Sequence, residues 1–195
     1  MNLLTKIASV TIASGMFISA NAELNTYTLD PSHTAVEWHI NHFGFSNPSG
    51  KFMNIDGEIK FDSNDIGSSS VKVTIPIENI NTGVPKLDEH LLGIDFFDTA
   101  KYPTAIFISN QVTNIDKDNF DLKGNLTMHG VMKPVVLHVT FNKLDLNYTK
   151  VETVGFSATT EVSRSEFDMD KYSPGLGDNI KINIELEANL QNKEK

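Results

Sequence analysis

Six histidines are the residues in this chain best suited to hold a metal or move a proton near neutral pH. His33, His39 and His42 lie close together in sequence. His39 and His42 fall an odd number of residues apart in a segment that reads as a strand, which sends their side chains to opposite faces unless a bulge intervenes. His33 and His39 remain able to converge across a turn. No HExxH occurs, and in the DEHLL stretch at 88–92 the glutamate has the wrong side and spacing for a zinc-protease helix. No metal site is expected from this pattern.

Serine, histidine and aspartate are all present, but no GxSxG, glycine-rich phosphate loop or strand-to-helix nucleophile elbow accompanies them. Asp88 and Glu89 are neighbours on a short predicted helix and diverge around its axis. Asp95 and Asp98, beside Phe96 and Phe97, read as a loop cap and a turn former. The chain is therefore not expected to be an enzyme. The enzymatic alternative is action on a lipid head group through His33 or His90, which requires a histidine at a pocket mouth.

The elements that would position such groups sit behind an export segment. Lys6 precedes an apolar run from Ile7 to Ile18, and Ala20, Asn21 and Ala22 close it, so residues 1–22 read as a signal peptide cleaved before Glu23. Residues 23–195 then form a single domain in the periplasm or beyond. No cysteine follows the cleavage point to carry a lipid anchor, and no later run is long enough to span a bilayer, so no stable membrane anchor is expected. The formal charge of −9 repels nucleic acid and anionic membrane. With no cysteine anywhere, stability must come from a hydrophobic core rather than disulfides. The terminal QNKEK reads as a frayed end.

Period-two patterning dominates the rest. Strands are expected at 25–29, 35–42, 50–61, 71–77, 104–112, 120–128, 135–144, 151–164 and 179–190. In the last, Ile180, Ile182, Ile184, Leu186, Ala188 and Leu190 alternate with polar residues, the pattern of an antiparallel sheet wet on one face. Helix is confined to residues 86–92, where Leu87 and Leu91 share a face and Gly93 stops the turn. This composition fits a closed barrel or a two-sheet sandwich. Strands this long favour the barrel, because closure removes exposed edges. Trp38, Ile40, Phe107, Leu126, Met128, Val139, Phe141, Phe156, Ile182 and Ile184 are expected to face inward.

The segment from Lys86 to Tyr102 is unusually apolar for a connection. Connections normally run on the surface, so Leu87, Leu91, Ile94, Phe96, Phe97 and Tyr102 should either plug a barrel end or form a lid over a pocket. Twelve phenylalanines and six methionines supply deformable apolar bulk for either. A pocket of this kind holds an apolar ligand without a charged contact, with a few polar groups fixing its head. A ligand-free exported barrel that binds a protein partner is the alternative, and an isologous dimer stays open in either case.

Four blocks carry a resemblance. DPSHTAVEWHINHFGFSNPSGKF (30–52), LDEHLLGIDFFDTAKYPTAIFIS (87–109), GNLTMHGVMKPVVL (124–137) and RSEFDM (164–169) together resemble the YceI-like family of periplasmic polyisoprenoid-binding proteins. The resemblance implies an all-β, extended eight-stranded antiparallel barrel, lipocalin-like, with a long apolar channel. It implies an isoprenoid lipid as partner, either an isoprenoid quinone or a polyprenyl phosphate, and no required cofactor. It places His33, Phe43, Gly44 and Gly50 in the first hairpin region and His90, Leu91, Phe96, Phe97, Tyr102 and Pro103 at the channel. Gly130, Lys133 and Pro134 match a turn between two long strands, and Arg164, Phe167 and Met169 match the last block. With the inward-facing Trp38, Phe107, Met128 and Phe156, the expected ligand contacts are Trp38, Phe43, His90, Leu91, Phe96, Phe97, Tyr102, Phe107, Met128, Phe156, Arg164, Phe167 and Met169. His90, Lys133 and Arg164 are the basic residues expected to be free for a phosphate. Asp168 stands where the family commonly has glycine, a position usually open to positive φ.

Overall fold

Eight strands of the chain close into one antiparallel circuit. The computed structural model describes residues 24–191. The signal-peptide reading of residues 1–22 lies outside the described residues, as does the frayed end beyond Gln191. The circuit runs β1 (Asn25–Leu29), β4 (Asp56–Phe61), β5 (Ser70–Pro76), β7 (Thr104–Asp116), β8 (Asn119–Met128), β9 (Val131–Leu146), β10 (Glu152–Ser163) and β11 (Leu176–Leu190), and β11 pairs back onto β1. Three further strands, β2 (Ala35–His42), β3 (Ser49–Phe52) and β6 (Ile80–Asn81), extend the sheet from β11. This is the expected lipocalin-like barrel, with outer strands added.

The interruptions follow from local chemistry. β1 and β2 run one after the other along the same edge of β11, Leu29 opposite Ala188 and Ala35 opposite Glu185, with the turn at 30–34 bulging between them. The single strand expected over 50–61 is instead two, β3 and β4, because Asn54 adopts a φ of 53° that no strand continues through. Asparagine is among the few side chains that enter this region readily. β8 and β9 are joined by His129 and Gly130, both at positive φ, the two-residue turn that matches strand twist. Lys133 and Pro134, expected in that turn, already lie within β9.

The helix α1 (Pro85–Leu92) begins on a proline at its first turn, where the missing N–H costs nothing. Asp88 reaches back to accept hydrogen bonds from the Thr82 amide (2.8 Å) and hydroxyl (2.6 Å), fixing the entry to the helix. The chain then crosses the barrel end and returns as β7. The other end is filled by aromatic rings, with Phe61 edge-on to Phe156 at 5.2 Å and Phe141 5.7 Å from Phe156.

Candidate ligand cavity inside the barrel

Between these two plugs lies a cavity of about 130 Å³. Its walls come from every strand of the circuit, with Leu29, Ile59, Val73, Phe107, Leu122, Leu137, Phe156 and Ile184 among the lining residues. Along β10 alone the lining runs from Phe156 through Ala158 and Thr160 to Val162, about 20 Å at the usual rise of a strand. The space is therefore long and narrow. Thr34, Ser69 and Thr160 are its polar lining residues, and among the described residues no charged side chain lines it. A cavity of this size matches one that takes a single small ring, roughly 150 Å³. A longer chain fits only as the walls repack.

Several inward residues show that slack. Val73, Ile75, Leu126, Leu137, Ile182 and Ile184 remain only partly buried although they face the inside of a closed barrel. Gly124 makes room for one of the lining rings, since a Cβ there would meet Phe107 at 2.5 Å.

Of the thirteen expected ligand contacts, Phe107 and Phe156 line the cavity. Six of the ten residues expected to face inward line the cavity: Phe107, Leu126, Val139, Phe156, Ile182 and Ile184. Trp38 lies against Gly50, where a Cβ would sit 2.5 Å from its ring, and its buried indole N–H has no hydrogen-bond partner among the described residues. Leu91 and Phe96 are buried in the plug formed by α1 and the following loop, and Phe97 meets Phe52 edge-on at 5.6 Å. His90 is exposed on the outer side of that plug, its ring 5.1 Å from Phe96.

Phe167 and Met169 form a second buried cluster with Val162, against which Met128, Val131 and Val135 pack. Tyr102 is held outside this cluster, over Gly130 and 4.8 Å from the His129 ring. Phe43 is half-exposed on the outer hairpin and covers Gly175. The structure thus brings together the lid residues and the upper cluster, and leaves Phe43, Tyr102 and His90 at the periphery.

The three basic candidates part company. Arg164 is 5 % exposed, and its guanidinium donates to the carbonyls of Met169, Lys171 (3.3 Å), Leu176 (3.2 Å) and Gly177 (2.9 Å). Burial pushes its pKa down, while Asp178 and Asp170 partly offset this. Four of its five N–H groups are spent on backbone, so it ties the 168–177 loop rather than standing free for a phosphate. Lys133 stands opposite Leu126 and so shares its inward-facing register, partly buried and without an ion pair among the described residues.

The remaining histidines serve local contacts. His33 pairs with Asp30 at 3.0 Å and His39 lies 3.8 Å from Glu37, each on the surface side of the sheet. The described residues hold no group of three or more metal-ligating side chains. They also contain no helix long and apolar enough to cross a membrane.

Several lining residues escaped the sequence reading, among them Leu29, Ile59, Phe61, Ala158 and Val162. The signal was there in the alternation: Val71, Val73 and Ile75 share one face of β5, and all three line the cavity.

The YceI-like domain model matches residues 27–188. A UPF0312 protein of Pseudomonas putida is 32 % identical over 162 residues, covering 82 % of this chain and 84 % of its own. The solved structure of a Campylobacter jejuni YceI protein is 33 % identical with a TM-score of 0.69, covering 79 % of this chain and 90 % of its own. A polyisoprenoid binding domain from Saccharophagus degradans, implicated in plant cell wall breakdown, is 13 % identical with a TM-score of 0.68 over 86 % of this chain and 99 % of its own. That last likeness extends to the fold alone.

Proposed function

Because this chain belongs to the YceI-like domain family, we propose that it binds an isoprenoid lipid inside the barrel and carries or sequesters it in the periplasm without chemical change. The observation that carries this reading is the long cavity, which no charged side chain lines among the described residues and which continues into the apolar core around Leu91, Phe96, Phe61 and Phe141. Such a space rewards hydrocarbon and rejects charge. Each five-carbon unit taken from water contributes about 4 kcal/mol, less the cost of association and of repacking the walls. The polyisoprenoid binding domain of S. degradans, with the same fold, supports the choice of chain.

Lys133 is the basic residue best placed to orient an oxygen-bearing head, as a cation on an inward register at the upper end of β9 with no ion pair among the described residues. Arg164 is committed to carbonyls and His90 faces solvent, so a single cation must suffice. One cation serves the carbonyl of a quinone ring better than a phosphate in so acidic a protein. The reading requires no resident cofactor. Export by residues 1–22 would deliver the protein to the compartment where it acts.

Titration with a ubiquinone carrying two isoprene units, followed by quenching of the lone tryptophan, tests this. Saturable binding is expected, and Ile184→Asp, which puts a carboxylate into the cavity wall, should weaken it by at least about tenfold. Absence of saturable binding, or equal binding by Ile184→Asp, would overturn the reading.

A further inference from the structure

The barrel wall is not closed along its full height. β10 pairs with β9 from Glu152 opposite Leu146 only as far as Thr159 opposite His138. Above that point, among the described residues, β9 continues through 131–137 paired to β8 alone, and β10 continues through 160–163 paired to β11 alone. Two strand edges therefore face each other without a ladder. Pro134 lies in the open stretch of β9, where a residue that lacks an N–H is tolerated because the edge is not paired. Below, the opening ends at the His138 and Thr159 pair. Above, the His129 ring nitrogen Nδ1 meets the Phe167 carbonyl at 2.9 Å and holds the segment after β10 against the β8–β9 turn.

This window joins two spaces. An outer groove runs over β9, β10 and β11, and Val135, Thr160, Val162 and Ile182 line both that groove and the interior cavity. Towards the barrel ends, by contrast, Leu91 and Phe96 of the α1 segment and the rings of Phe61, Phe141 and Phe156 pack into the core. In place of a ladder, the Thr160 hydroxyl donates across the gap to the Val136 carbonyl at 2.8 Å. One side-chain hydrogen bond is far easier to open than a run of backbone pairs.

We propose that the apolar chain of the ligand enters and leaves the barrel sideways, through the window between β9 and β10, with Thr160 as its latch. This rests on the reading of the cavity as a lipid site. Side entry lets a long chain slide in along the barrel axis while an oxygen-bearing head stays at the wall beside Lys133. It also lets the plug of α1 remain in place during exchange.

The chain contains no cysteine, so strapping the window is clean. Extending the β9–β10 register places Val136 opposite Glu161, and a Val136→Cys, Glu161→Cys pair oxidised to a disulfide would zip the gap. A Thr140→Cys, Ser157→Cys pair, in the ladder already formed, is the control. Uptake of the two-isoprene ubiquinone should slow by roughly tenfold or more when the window pair is oxidised, recover on reduction, and be unaffected in the control. Thr160→Val, which removes the latch bond without changing volume, should speed uptake several-fold and decides the matter if the strap fails to form. Equal uptake by oxidised and reduced window pairs, or by Thr160→Val and the parent, overturns side entry while leaving lipid binding intact. No uptake by the unaltered protein overturns both.

Discussion

The Arg164 guanidinium donates to the carbonyl of Met169 from a buried position, closing the loop that follows β10 onto itself. A buried cation without a carboxylate in contact is costly, and here carbonyl dipoles from four residues offset that cost. Arg164→Ala orphans those carbonyls and should lower stability by about 3 kcal/mol. Arg164→Lys should recover little, because a point-like ammonium cannot span the carbonyls that a planar fork reaches. Urea denaturation of the two variants measures both effects.

Asp168 ends the 3₁₀ turn of Arg164–Phe167 with a φ of 57°. A side chain in the left-handed region carries strain that glycine does not, so Asp168→Gly should raise stability by about 1 kcal/mol. No hydrogen bond of the Asp168 carboxylate offsets the gain among the described residues. Thermal unfolding would register the change as a higher midpoint.

Asp168 also shows how far the sequence could be read. Its position after Phe167 marked a backbone open to positive φ, and the turn keeps that conformation with a charged residue in place of glycine. The strands of the circuit were legible because one wet face imposes alternation, as in β11, and the helix because Leu87 and Leu91 lie one turn apart. The break at Asn54 was not, since asparagine in a strand-like run leaves the period of the apolar residues intact. Nor was the two-residue β6, too short to show a period. The open seam between β9 and β10 is invisible to patterning altogether, because alternation reports which face is buried and says nothing of which neighbour is paired. For the same reason Phe107 and Phe156 could not be told from Met128 as cavity residues: all three face inward, and only their height along the axis separates lining from plug.

Tyr27 is 1 % exposed and its hydroxyl donates to Glu152 Oε1 at 2.8 Å. Burial, then the bond to Glu152, push its pKa from 10.0 up to about 12. The folded protein thus holds this proton more tightly than the unfolded chain. The associated stability is fully present below about pH 10 and is lost as pH rises toward the folded value, by an amount of about 2 to 3 kcal/mol. Tyr27→Phe should be less stable at neutral pH by about 1 kcal/mol. It should also show a flatter decline in alkaline urea titrations, and an unchanged decline would contradict the assignment.

Ala158 is a small lining residue on β10, opposite Val139. Ala158→Phe should fill the cavity with ring and reduce isoprenoid affinity by on the order of tenfold or more. The barrel should survive, because the space to be filled already exists, and far-ultraviolet circular dichroism checks this. Retained affinity in a folded Ala158→Phe protein would place the ligand elsewhere.

The central claim is that the cavity holds an isoprenoid chain. Native mass spectrometry of the protein taken gently from a bacterial periplasm, with organic extraction of what it carries, tests it most directly. The account predicts a one-to-one adduct of isoprenoid mass that is depleted in the Ala158→Phe protein prepared in the same way. A bare protein mass that stays bare after incubation with an isoprenoid quinone would contradict it.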